Sequence, residues 1–192
     1  MLTSILRFFT IGLIFAGVIV FFSLKANAEE IHFDNSKYIL KYSTLSPLLK
    51  GYMNEYYPAN ELINNWTKMI GIYYYPNENS PIKFAKEFDK TIENSENSML
   101  IKFIENKKQD KAVVSFLVNN TQNGKNYFEY NVYKYEKHPK KGTMMLKYAI
   151  KYFCANNKDI TAIGNKIREQ NDKYMEMLIT SPIPPIVEKE IK

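Results

Sequence analysis

The 192-residue chain is 45% hydrophobic, enough for one domain with a real core, and carries 26 basic against 20 acidic side chains. The resulting net charge of +6 is too small and too evenly interleaved, as in Lys83, Lys86, Glu87, Asp89 and Lys90, to point to a nucleic-acid partner. One cysteine excludes an internal disulfide, and with only two histidines beside it the usual zinc clusters have no ligand set.

Arg7, the apolar run 8–22, and Ala26-Asn27-Ala28 ahead of Glu29 have the layout of a secretory signal peptide: a positive start, a greasy centre and a small-residue cleavage site. The run is about fifteen residues, short of the roughly 20 that span a bilayer as a helix. Residues 1–28 are therefore expected to be removed, which puts the mature chain in the periplasm or outside the cell, with membrane contact only through the precursor. Arg7 and Lys25 leave with this segment and no acidic residue does, so the mature chain stands at +4. All 15 tyrosines and Trp66 stay. A tyrosine pairs an apolar ring with a polar tip, which suits half-buried sheet positions and binding surfaces alike.

Residues 29–181 read as a single domain dominated by strand patterns. The first strands are expected at 37–43 and 52–57, the second stopped by Pro58, followed by a turn or short helix at 60–65. Alternation over 66–75 puts Trp66, Lys68, Ile70, Ile72 and Tyr74 on one face and Thr67, Met69, Gly71, Tyr73 and Tyr75 on the other, both fairly apolar, as in a central strand. Ser80-Pro81 is a helix start, and Ile82, Phe84, Ala85, Phe88 and Ile92 follow at helical spacing. Strands are expected at 99–104, which could also extend that helix, and at 112–118. Asn123-Gly124 marks a turn, and 127–136 with 143–153 form a hairpin with a basic tip. A last helix is expected from an N-cap at Asp159 to Thr180, stopped by Ser181-Pro182. The tail 182–192, with three prolines, is expected to be extended and then frayed. Cys154, at the end of an apolar strand pattern, is expected to be a small buried hydrophobe. The whole reads as an α+β domain: a mainly antiparallel sheet of about six or seven strands flanked by two helices. By element order alone it resembles the PsbP-like fold.

Catalytic motifs are absent from the sequence. There is no H-E-x-x-H, no G-x-S-x-G, no phosphate loop and no G-x-G-x-x-G, and His32 and His138 have no metal-spaced partner. No cofactor or metal is expected. The remaining catalytic route is a pair of carboxylates, of which Glu129 is the best candidate because it lies inside an aromatic run; its alternative reading is a solvent-facing glutamate at a sheet edge. Two other features point to binding. The turn around Lys140 and Lys141 could meet an anionic polymer or lipid, and Tyr57, Trp66, Tyr73 and Tyr75 could frame a recognition surface.

Tyr57-Pro58-Ala59-Asn60-Glu61, then Asn65-Trp66-Thr67-Lys68-Met69-Ile70, resembles a pattern, roughly Y-x-P-x-x-E…W-T-x-M, found in uncharacterised exported bacterial proteins. The resemblance implies a late strand pair in which Glu129 and 146–150 take part, and an envelope address. It implies no reaction. The expectation is an exported, non-catalytic module that binds a protein partner or envelope component, the alternatives being a small envelope hydrolase using carboxylates and a carrier of a small apolar ligand.

Overall fold

The computed structural model describes residues 25–26, 29–48 and 50–192. In chain order the elements are β1 (Lys25–Ala26), β2 (Glu30–Phe33), β3 (Ser36–Ser46), β4 (Gly51–Pro58), β5 (Lys68–Tyr75), α1 (Pro81–Glu93), β6 (Ser98–Glu105), β7 (Lys111–Gln122), β8 (Lys125–Lys137), β9 (Thr143–Cys154) and α2 (Asn157–Thr180). The expected signal peptide falls outside the described residues except for Lys25–Ala26, which pair with β2.

Short turns set the topology. Asp34 and Asn35 have φ of 46° and 56°, and Asn123 and Gly124 have 51° and 72°. Two successive positive-φ residues make a type I′ turn, whose twist matches the strands it joins. They close the β2–β3 and β7–β8 hairpins. Strands β1 to β5 form one meander and β6 to β9 a second. The α1 crossover carries the chain to the far edge, from which β9 returns to pair with β5. The order is β1-β2-β3-β4-β5-β9-β8-β7-β6, antiparallel throughout. The sheet thus has eight strands of four residues or more beside the two-residue β1, against six or seven expected. The strands the sequence reading missed are β1 and β2, the second of which includes His32.

Side chains alternate across a strand, so the register fixes two faces. On one, Ile70, Ile72, Leu146, Tyr148, Tyr130 and Val132 pack beneath Ile167, Tyr174, Met175 and Leu178 of α2. On the other, Ala112, Val114, Phe116, Tyr135 and Met145 pack beneath Ile82, Ala85 and Ile92 of α1. α1 sits mainly over β6, β7 and β8. The same face of β4, β5 and β9 is left to side chains that α1 does not cover.

Helix α1 begins as its sequence predicts, with the Ser80 hydroxyl accepting from the Lys83 N–H and Pro81 in the first turn. The start of α2 differs from expectation. Its N-cap is Asn156, and Asp159 closes a capping box by accepting from the Asn156 N–H. The segment 99–104 is strand β6, not an extension of α1. Cys154 is partly exposed, with its thiol directed at the Asn126 carbonyl, because it is the last residue of β9.

The tail is not frayed. Asn54, fully buried, accepts from the Val187 N–H (2.6 Å) and donates to the Val187 carbonyl (3.0 Å), while Ser43 and Ile191 exchange both backbone hydrogen bonds. β2 covers β3 only as far as Ile39, and the tail fills the edge that remains. Its Ile183, Ile186, Val187 and Ile191 pack on the α2-side core.

Gly142 ends the β8–β9 turn at φ 86°, and a Cβ there would press into the Tyr75 carbonyl and lie 2.8 Å from Pro76 Cα. Backbone cannot swing aside as a side-chain tip can. Gly142→Ala is expected to cost about 2 kcal/mol from the left-handed conformation and the clash together, read as a lower urea midpoint at unchanged m-value.

Candidate functional site

The uncovered half-face, referred to as the trough, lies between α1 and the loop that joins β4 to β5. At one end α1 brings Phe84 against Tyr75 (ring centroids 4.7 Å) and Tyr135, and Phe88 against Tyr133 and Phe116. At the other end stands the loop between β4 and β5. Glu61 shapes that loop by accepting from the N–H and hydroxyl of Thr67, and Lys41 reaches across from β3 to the carbonyls of Pro58, Ala59 and Glu61. These are the glutamate and threonine of the Y-x-P-x-x-E…W-T-x-M pattern. They hold Trp66 against Tyr57, ring centroids 6.3 Å apart. Trp66 precedes β5, so strand parity does not govern it, and it joins Tyr57, Met69 and Ala149 rather than the face that alternation predicted.

Between the walls the register sets charged groups in rows. Glu55 on β4, Gly71 on β5, Lys147 on β9 and Tyr133 on β8 lie opposite one another across four neighbouring strands, and one pair further along β8 and β9 sit Asn131 and Ala149, then Glu129 and Lys151. Glu55 receives two phenols: the Tyr57 hydroxyl donates to one oxygen at 2.6 Å and the Tyr73 hydroxyl to the other at 2.9 Å. Gly71 makes the second bond possible. The Tyr73 ring folds back over it, and a Cβ at 71 would lie 2.8 Å from both Cζ and the hydroxyl. A glycine inside a strand often marks such a close approach.

Lys147 donates to Glu129 Oε1 at 3.1 Å; their side chains keep 13% and 16% of their exposure. Burial pulls the ammonium's pKa down, but Tyr133, Glu129 and Glu55 around it outweigh that and hold it above the ordinary lysine value. The neighbouring phenols move the same way. Burial and then Glu55 raise Tyr73, and burial raises Tyr133, so both stay protonated and able to donate. Lys151 turns to the other wall. Its ammonium lies 4.0 Å from the Trp66 ring centroid and 5.0 Å from that of Tyr127, and it donates to Gln122 Oε1, while Gln122 donates to the Asn64 carbonyl and ties the loop to β7. Burial lowers the Lys151 pKa. Beneath these groups lies Asn131, 1% exposed: its amide donates to the Glu129 carbonyl, and its Oδ1 has no hydrogen-bond partner among the described residues.

Five residues singled out in the sequence, Tyr57, Trp66, Tyr73, Tyr75 and Glu129, meet on this face. Glu129 stands in the interior of the sheet, between β7 and β9, so its reading as an edge glutamate is corrected. Lys140 and Lys141 are elsewhere. Both are exposed in the β8–β9 turn, where their N–H groups lie against His138 Nδ1 and Tyr74 donates to the Lys141 carbonyl. The sequence reading missed Glu55, Lys147, Lys151, Tyr133 and Asn131. The last four could have been found by pairing β8 with β9 outward from the turn at 138–142, which sets Glu129 opposite Lys151 and Tyr133 opposite Lys147. Glu55 is placed by the pairing of β4 with β5, and β5 and β9 separate its strand from that of Glu129. No group of three or more His, Cys, Asp or Glu among the described residues is arranged to hold a metal ion.

A family model matches residues 26–183, from β1 through α2 and into the tail. The chain belongs to that uncharacterised family. The match spans both walls of the trough and every residue of its floor, so the site lies wholly inside the family's shared region. No curated protein and no solved structure matches the chain.

Proposed function

We propose that this protein is an exported, non-catalytic binding module that holds a protein or another envelope component in the trough between α1 and the 58–67 loop. The observation that carries the reading is the state of the polar groups. Both oxygens of Glu55 are taken by tyrosines and Glu129 is held by Lys147, so the carboxylates are fixed acceptors among aromatic rings. Rings for contact area with a few fixed polar groups for orientation are the make-up of a recognition surface. The composition of residues 1–28 and the likeness of the Y-x-P-x-x-E…W-T-x-M pattern to that of exported bacterial proteins support an address in the periplasm or beyond. No described helix is long and apolar enough to cross a membrane.

The test is a photoreactive phenylalanine at Trp66 in native cells, with the same residue at exposed Glu87 on α1 as the control. An adduct from position 66 and none from 87, on a chain whose intact mass starts at Glu29, is the expected result. Absence of any adduct at 66 sinks the trough as a binding site. Turnover of an envelope polymer that disappears in Glu129→Gln would replace the module with the carboxylate hydrolase.

A further inference from the structure

Folding sorts charges that are interleaved in the sequence. Ser46 pairs with Gly51, Tyr75 and Lys137 both pair with Thr143, and Glu105 pairs with Ala112, so the connections 47–50, 76–80, 106–110 and 138–142 all leave one end of the sheet. They carry Lys50, Lys107, Lys108, Lys140 and Lys141 against Glu78 and Asp110, a net of +3. At the opposite end the connections 34–35, 59–67, 94–97, 123–124 and 155–156 carry Asp34, Glu61 and Glu96 with no lysine or arginine, a net of −3. All five lysines of the first end are exposed, and none has an ion-pair partner among the described residues.

The basic end also carries the most exposed large hydrophobic side chain among the described residues. Leu48, in the β3–β4 turn, is 89% exposed; Leu45 beside it is 49% exposed and Pro47 is exposed as well. This turn and the β8–β9 turn are seated on the same stretch of chain. A Cβ at Gly51 would run into the Tyr74 carbonyl and Pro76, and one at Gly142 into the Tyr75 carbonyl and Pro76. Tyr74 fixes the second turn by donating to the Lys141 carbonyl (3.0 Å) and by packing its ring on His138, centroids 4.7 Å apart. β4 and β9 flank β5, so the two turn roots stand two strand spacings apart, about 10 Å. The leucine tip and the Lys140-Lys141 pair therefore belong to one surface. The acid beside the tip, Glu190, is already taken up by the Leu45 N–H and the Thr44 hydroxyl.

We infer that this end of the sheet docks on an anionic lipid bilayer, with Leu48 and Leu45 entering the interface and the lysines lying over the phosphates. A leucine at a protruding tip gains only from a medium it can enter, and unpaired lysines around it gain only from a negative surface. A bilayer with anionic headgroups offers both in one plane, the acyl boundary for the leucines and the phosphates for the ammoniums. The same field turns the acidic end outward. In that orientation the 58–67 loop and Trp66 face away from the lipid, so a docked chain still presents the trough. The sequence expectation confined membrane contact to the precursor, and this inference extends it to the mature chain. It does not depend on the trough reading.

The test is sedimentation of the chain starting at Glu29 with phosphatidylcholine vesicles, plain or carrying about one-third phosphatidylglycerol. The expected result is partition onto the anionic vesicles alone, weakening at least about tenfold between roughly 0.05 and 0.5 M salt. Leu48→Ser should weaken it about tenfold at unchanged thermal midpoint, since the side chain removed is already in water in the free protein. Lys140→Ser combined with Lys141→Ser should weaken it about twentyfold. Leu62, 67% exposed at the acidic end, is the control, and Leu62→Ser should bind as the native chain does. No partition onto anionic vesicles at low salt overturns the inference. Equal partition onto neutral vesicles does so too, as does binding that Leu48→Ser and the double lysine variant both leave unchanged. Soluble polyphosphate is run in parallel as a phosphate source without a bilayer. If it competes for the chain and Leu48→Ser keeps its full vesicle affinity, the surface reads an anionic polymer and the bilayer is overturned. The position-66 adduct is read separately: an adduct without vesicle binding removes the docking surface and leaves the trough as a binding site.

Discussion

Lys147→Met is expected to lower unfolding stability by about 3 kcal/mol at neutral pH, close to the cost of breaking an ion pair that is mostly buried. The apolar stem of lysine is replaced almost atom for atom, so the loss comes from the charge. Without the ammonium, Glu129 loses its ion-pair partner while Glu55 keeps its two tyrosines, and the two carboxylates face each other's field across the floor. Lys147→Met combined with Glu129→Gln should recover about 1 to 2 kcal/mol of the loss, because the second change removes the stranded carboxylate. The pH dependence is separable from that of other lysines. The folded-state pKa of Lys147 is raised, so its contribution is complete below the unfolded value of about 10.4 and is lost as pH climbs above it through the folded value. Urea midpoints of the native chain should therefore fall in that alkaline range by more than those of Lys147→Met. Equal stability of the two proteins at neutral pH would mean that the charged row does not hold the trough together.

The parts of this architecture that were legible from sequence are those set by local rules. Ser80-Pro81 starts a helix in any context, Asn123-Gly124 is a two-residue hairpin turn, and the alternating runs after Tyr127 and Thr143 can only be strands of that length. What was not legible depends on neighbours distant in the chain. β2 is four residues long, too short for its polar-apolar alternation to stand out; the Asp34-Asn35 turn also marks it, but two positive-φ residues without a glycine give a weak signal. The capping residue of α2 moved from Asp159 to Asn156 because an aspartate at the third helical position and one at the cap look alike until the backbone shows which N–H each accepts. The trough divides in the same way. Its aromatic members were named because rings stand out in any sequence, whereas Lys147, one of many lysines, was not. Its partner, Glu129, is eighteen positions away and becomes a neighbour only once the β8–β9 hairpin has closed.

Asn54→Ala is expected to cost about 2 to 3 kcal/mol and to release the C-terminal tail, an outcome that the proline-rich sequence of 182–192 gives no reason to expect. Asn54 acts as a section of backbone: its amide oxygen accepts from the Val187 N–H and its amide nitrogen donates to the Val187 carbonyl and to Ser43 Oγ (2.9 Å). Removing it leaves three polar groups without those bonds in a region where Ser43 and Asn54 are both fully buried. That desolvation cost exceeds the net value of the bonds themselves. Amide exchange locates the effect: Val187, Ile191 and Ser43 should lose protection in the variant while β7, β8 and β9 keep theirs. The outer end of the tail is held differently, by Glu190, which accepts from the Leu45 N–H at 2.8 Å and from the Thr44 hydroxyl. Those bonds hold its carboxyl below the ordinary glutamate value. A depressed folded-state pKa stabilises above the unfolded value, about 4.3, and that stabilisation is lost as pH falls through the folded one. Acid should therefore loosen the Glu190 end first, seen as faster Leu45 exchange relative to its intrinsic rate while Val187 remains protected, and Glu190→Gln should produce much of that loosening at neutral pH. If Leu45 and Val187 open together at every pH, the tail is one cooperative unit with the sheet, and Asn54 and Glu190 are not separate fastenings.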